Sequence, residues 1–135
     1  MACESMPSSS GGTAAVAARP DVHLIEDTIT TGMKNAMIAS CDCYVSLHRS
    51  EGFGLTMAEA MLLGTPVVAT AYGGVLDFVT PFNGALVDRR LVAIGPGHDP
   101  YPADGEWAEP DLDHAAALMR AAKPSSTVGA PSAPP

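Results

Sequence analysis

Pro66-Val67-Val68-Ala69-Thr70 carries no charge and no polar group before its last residue, and this segment restricts the fold more than any other part of the chain. A half-buried strand alternates apolar and polar side chains, whereas a continuous apolar run fits a strand covered on both faces, as in a parallel sheet wrapped by helices. Helix formers stand just before it, Thr56-Met57-Ala58-Glu59-Ala60-Met61-Leu62-Leu63, with Gly64 placed to end that helix. Further upstream, Tyr44 to Leu47 reads as a strand, and Met33 to Ser40 as a helix with apolar Met33, Ala36, Met37 and Ile38 and a cap at Thr30 or Thr31. Val22-His23-Leu24-Ile25, opened by Pro20 and Asp21, predicts the first strand. Downstream, Gly73-Gly74 opens a short helix over Val75 to Val79, and Ala85-Leu86-Val87 supplies another strand. A long loop rich in Gly, Pro and Asp leads to a last helix through His114 to Arg120, capped by Asp111 or Asp113. This alternation predicts the α/β class: a Rossmann-like, doubly wound parallel sheet flanked by helices, which takes ligands at the carboxyl ends of its strands.

Composition narrows the partners. Seven Lys and Arg against fifteen Asp and Glu leave a net charge of -8, so no basic stripe is available to neutralise a nucleic-acid backbone. The acids Asp99, Asp104, Glu106, Glu109, Asp111 and Asp113 read as a solvated loop and helix start. Cys41-Asp42-Cys43 holds its pair too close for an unstrained bridge in a regular element, and Cys3 makes the count odd, so free thiols in a reducing cytoplasm are expected. His23 and His48 are isolated and no second cysteine pair follows, so no metal site and no cofactor is expected. A positive start followed by an apolar run is missing at the N-terminus, and no segment has the ~18 apolar residues of a spanning helix, which predicts a soluble chain. Residues 1–13 and 123–135, rich in Ser, Gly and Pro, read as disordered flanks around one domain at 14–122.

Between Leu47 and Leu63 a strand ends, Gly52 and Gly54 flank Phe53, and a helix begins within two residues. Glycines let the backbone approach a ligand, and the first-turn N–H groups of the helix point at whatever lies in front of them, which suits a phosphate. Neither the dinucleotide fingerprint nor a P-loop fits, because a third glycine and a Gly-Lys-Thr are both missing. Glu51 and Glu59 flank this anion seat, and carboxylates suit sugar hydroxyls, each oxygen accepting charge-assisted hydrogen bonds. Each acid also has a plainer reading: Thr56-Met57-Ala58-Glu59 matches a capping box, and Glu51 fits an exposed loop acid.

Ser50-Glu51-Gly52-Phe53-Gly54-Leu55, Glu59-Ala60-Met61, Gly64 and Pro66-Val67-Val68-Ala69-Thr70 together resemble the retaining family 4 (group 1) glycosyltransferases of GT-B fold, whose hallmark is Glu, seven residues, Glu. The resemblance runs from about Ala18 through Cys41 to Arg49 and on to Trp107-Ala108-Glu109-Pro110-Asp111 and His114-Ala115-Ala116. It implies the nucleotide-sugar-binding C-terminal domain, in truncated form, of an enzyme that transfers a sugar with retention to a glycan, lipid or small-molecule acceptor. By that resemblance Glu51 contacts the donor sugar as the catalytic residue, backbone N–H groups around Gly52, Phe53, Gly54 and Leu55 hold the diphosphate and sugar, and Glu59 binds the ribose hydroxyls. It also implies an Arg and a Lys on the diphosphate, contributed by a part of the domain with no counterpart here, and an Asn where Val75 stands. Arg49 or Lys34 are candidates to replace those charges, Arg49 being otherwise a surface residue, and His48 is a candidate donor contact or a solvated loop histidine. Trp107 is expected to pack its loop onto the domain. Acceptor binding is implied to come from an N-terminal half across a cleft. The alternatives are a non-catalytic nucleotide-sugar-binding fragment or the docking half of a split enzyme.

Overall fold

The computed structural model describes the backbone of residues 2–4 and all of residues 16–122. Four strands, β1 (Ala2–Glu4), β2 (Cys43–Ser46), β3 (Val67–Thr70) and β4 (Ala85–Val87), form one parallel sheet in sequential order. Tyr44 pairs with Val67 and Val68 with Ala85, so the carboxyl ends of β2, β3 and β4 open along one edge. The helices α1 (Thr31–Ser40), α2 (Leu55–Leu62) and α3 (Leu112–Ala122) wrap the sheet. β2 and β3 are buried at every position, as the apolar run of Pro66–Thr70 predicts.

Alternate residues of each strand serve opposite faces. Tyr44, Val67 and Ala69 pack with Ile38 of α1, Met57 and Ala60 of α2, and Val75 and Val79 beyond β3. Cys43, Val45, Val68 and Val87 pack on the other face with Ala115, Leu118 and Met119 of α3. A continuous apolar sequence is therefore required, because neither face meets water. Cys41 and Cys43 are buried free thiols, and burial pushes the Cys43 thiol above its ordinary range.

Local signals set the helix ends. Thr30 accepts from the Met33 N–H through its hydroxyl at 3.2 Å, and Asp111 Oδ1 accepts from the His114 N–H at 2.9 Å. After α2, Gly64 adopts φ +79, its N–H donating to the Met61 carbonyl and that of Thr65 to the Ala60 carbonyl, a Schellman stop.

Four expectations are corrected. Residues 22–25 form no strand; Val22, Leu24 and Ile25 are exposed, and the place beside β2 belongs to Ala2–Glu4. A strand exists only where a neighbour takes its N–H and C=O groups, and once that edge is filled an apolar sequence alone cannot make one. Ala2–Glu4 also lies in the flank expected to be disordered; ladder bonds come from backbone, to which side-chain composition is blind. The rest of that flank and the tail 123–135 lie outside the described residues.

The two ends of the long loop form, third, a second sheet: β5 (Arg89–Ala93) runs antiparallel to β6 (Glu106–Pro110), with Arg90 opposite Glu109 and Val92 opposite Trp107, while Asp99 and Asp104 stay in the exposed loop between them. The expected helix over Val75–Val79 is a 3-10 turn at Gly73–Asp77. No described helix is long and apolar enough to cross a membrane.

Candidate functional site

Two loops leave the carboxyl ends of neighbouring parallel strands and meet. One follows β2 through His48, Arg49 and Glu51 to Gly54; the other follows β3 through Tyr72, Gly73 and Gly74. The Gly74 N–H donates to the Glu51 carbonyl at 3.3 Å. A Cβ on Gly73 would lie 2.5 Å from the Glu51 carbonyl oxygen, and one on Gly74 would sit on the Gly52 carbonyl oxygen. Backbone thus packs on backbone, and no side chain fits between.

Gly54 is the N-cap of α2 with φ +91, and no side chain caps this end. A Cβ there would meet Met57 Cε at 2.7 Å and Phe78 Cζ at 3.4 Å. The first turn of α2 holds no acid, and its N–H groups and the positive end of its dipole face the loop that carries Glu51. Phe53 is half exposed and packs against Phe78 with ring centroids 5.1 Å apart, while Leu55 is exposed.

His48 ties the two loops together. Its Nε2 lies 2.9 Å from the Tyr72 carbonyl oxygen, which only accepts, so Nε2 carries the hydrogen. With the hydrogen on Nε2, Nδ1 is the acceptor for the Ser46 hydroxyl, 3.2 Å away. Both nitrogens are used within the protein, which makes His48 a strut.

Arg49 faces the hairpin. Its guanidinium stacks 5.0 Å over the Trp107 ring and pairs with Glu109 at 2.8 Å, and its carbonyl accepts from the Ala108 N–H at 2.9 Å. His98 and Tyr101 meet the same indole edge-on, so Trp107 packs the segment down as expected. The Arg49 side chain is about half exposed, so each side-chain contact contributes roughly 0.5–1 kcal/mol.

The two acids differ. Glu51 Oε1 accepts from the adjacent Gly52 N–H at 3.1 Å, which turns the carboxylate onto its own loop. Glu59 makes no capping box, because α2 begins at Leu55 with Gly54 as its cap, and Thr56 already lies inside the first turn. The carboxylate instead reaches across to α1, where Lys34 Nζ donates to Oε2 at 2.5 Å. With both side chains partly exposed, 32% and 42%, the pair contributes only about 0.2–1 kcal/mol.

His48 to Gly54 thus form the β2–α2 connection, Leu55 begins α2, and Glu59 lies further along that helix, turned to Lys34 of α1. Sequence reading takes Gly73-Gly74 as a helix opener, which the 3-10 turn at Gly73–Asp77 bears out, but misses the close approach that two glycines directly after a buried strand signal. It also missed the hairpin, for which the opposed charges of Arg90 and Glu109 were the available cue. The bond from Lys34 to Glu59 spans 25 positions and has no local signature.

Known proteins match this part of the sequence. The family model of glycosyl transferases group 1 matches residues 20–93. A D-inositol 3-phosphate glycosyltransferase of Xylanimonas cellulosilytica is 53% identical over 64 residues, 44% of this chain and 12% of the relative. An alpha-1,3/1,6-mannosyltransferase of Candida albicans is 38% identical over 62 residues, 46% of this chain and 14% of the relative. A trehalose synthase of Rubrobacter xylanophilus is 34% identical over 71 residues, 51% of this chain and 17% of the relative. The matched part of the chain thus spans less than a fifth of the length of these relatives. No solved structure matches significantly. With a glycine seat at the strand ends and the family model covering more than half of its residues, the chain belongs to the group 1 glycosyl transferases.

Proposed function

We propose that this chain supplies the donor half of a glycosyl transfer site: it binds a nucleoside diphosphate sugar and presents it for transfer with retention at the anomeric carbon. The observation that carries this is the closure of Gly73-Gly74 onto Glu51-Gly52, which sets a bare backbone rim against the first turn of α2. In this reading the N–H groups of Phe53 to Leu55 hold the diphosphate, with Gly52 shaping the loop, Glu51 contacts the donor sugar and Glu59 receives the ribose hydroxyls. His48 and Arg49 hold the loop.

The bond from the anomeric carbon to the phosphate oxygen breaks, and one to the acceptor hydroxyl forms on the same face. The departing phosphate oxygen takes the hydroxyl proton, so the scheme uses no protein base. The α2 dipole and N–H groups stabilise the negative charge that develops on the leaving diphosphate, and the scheme includes neither metal nor cofactor.

The acceptor, a glycan, lipid or small molecule, is assigned to an N-terminal half facing this site, on the same or a separate chain. The exposed apolar side chains of Val22, Leu24, Ile25 and Met33 support a covered face there. The buried free thiols support a reducing compartment such as the cytoplasm.

Calorimetry of the chain against UDP, GDP and their sugars, with Glu59→Ala alongside, tests the donor reading. Removing the carboxylate is expected to weaken binding by about 1.5–3 kcal/mol. Absence of binding by the native chain up to millimolar ligand sinks it. Incubation with radiolabelled donor and extracts containing acceptors then separates a binding module from a working transferase.

A further inference from the structure

We propose that Lys34 is a positioning residue of the donor site, holding Oε2 of Glu59 so that the rest of the carboxylate is aimed at the vicinal hydroxyls of a ribose. The inference rests on Glu59 being the ribose ligand, as proposed above.

Three observations carry it. Lys34 and Glu59 sit on different helices, 25 residues apart, and meet at 2.5 Å. Lys34 stands in the first turn of α1, which contains no acid, and a cation at a helix N-terminus opposes the dipole. Helix stability therefore does not explain the lysine. The pair is also partly open to water, where ion pairs contribute little to folding.

What the pair does supply is order. A glutamate side chain must have its rotors frozen before it can grip two hydroxyls, and a partner that freezes them in advance raises affinity without touching the ligand. A carboxylate offers about four acceptor positions. Lys34 engages Oε2, and Oε1 takes no bond from any described residue.

Binding of UDP and GDP, and of their 2′-deoxy counterparts, is measured on the native chain, Lys34→Met, Lys34→Arg and Glu59→Gln, with circular dichroism to confirm folding. The native chain is expected to prefer the ribose form about tenfold. In Lys34→Met that preference collapses towards one while affinity for the deoxy form hardly changes, and Lys34→Arg restores most of it. Equal weakening of both forms in Lys34→Met overturns the inference, since a purely structural lysine or a phosphate contact would act so. Tighter binding by Lys34→Met also overturns it, making Lys34 a competitor for Glu59. If Glu59→Gln loses the preference and Lys34→Met keeps it, the donor reading stands and this inference falls. If the native chain binds no nucleoside diphosphate, the donor reading itself has failed.

Discussion

The loop at Glu51–Gly54 is supported on one side by Gly73-Gly74, backbone against backbone, and on another by the β5–β6 hairpin, through Arg49, Trp107 and Glu109. The first support has no slack, since a single methyl at Gly74 would overlap the Gly52 carbonyl. The second joins one backbone bond, from the Ala108 N–H to the Arg49 carbonyl, to long, partly exposed side chains that can shift to new rotamers. A seat that depends on backbone N–H groups needs the rigid support, while the softer one sets how firmly the neighbouring segment is pressed down.

The largest effect is expected beneath the rigid support. Met57 is fully buried with its Cε under Gly54, so Met57→Ala should cost about 2–5 kcal/mol in denaturant unfolding. A loss well under 1 kcal/mol would show that the start of α2 is not anchored from below. Next, Gly74→Ala should cost about 1–3 kcal/mol through overpacking and abolish nucleotide binding at ligand levels that saturate the native chain. Retained binding would show that the glycine contact does not shape the seat.

On the soft side, Arg49→Ala and Trp107→Ala should each leave the chain folded and weaken nucleotide binding by no more than about 1 kcal/mol in calorimetry. A loss comparable with that of Gly74→Ala would erase the distinction between the two supports.

The smallest effect is expected at an ion pair outside both. Arg19 donates to Asp21 through Nε and Nη2 and, chiefly by those bonds, holds the Asp21 carboxyl at about 2. A lowered carboxyl value means that any stabilisation is present above the unfolded value near 4 and is lost as the pH falls through about 2. Because both groups are exposed, Arg19→Ala should raise the Asp21 NMR titration midpoint part of the way back to its ordinary value, a backbone hydrogen bond still lowering it, and leave the melting temperature unchanged.

The parts of the fold visible in the sequence were those with a local cause. Pro66–Thr70 announced a strand buried on both faces, Thr30 and Asp111 announced caps, and Gly64 announced a helix end, since each acts on groups a few residues away. The glycine loop and Glu51 were visible for the same reason. Val22–Ile25 misled because an apolar run states only what a segment would bury, not whether a strand edge remains for it. Thr56 and Glu59 have the spacing of a capping box but do not make one, because the cap is Gly54, two residues before Thr56.

By itself, then, the sequence determined the α/β alternation, the helix ends and the glycine-rich turn of the β2–α2 connection. Only the tertiary structure decided that Ala2–Glu4 takes the edge beside β2, that Arg89–Ala93 pairs with Glu106–Pro110, and that Glu59 turns to Lys34. Propensity and capping are short-range terms written in neighbouring residues, whereas strand partners and cross-helix ion pairs depend on which distant groups the folded chain brings within bonding distance.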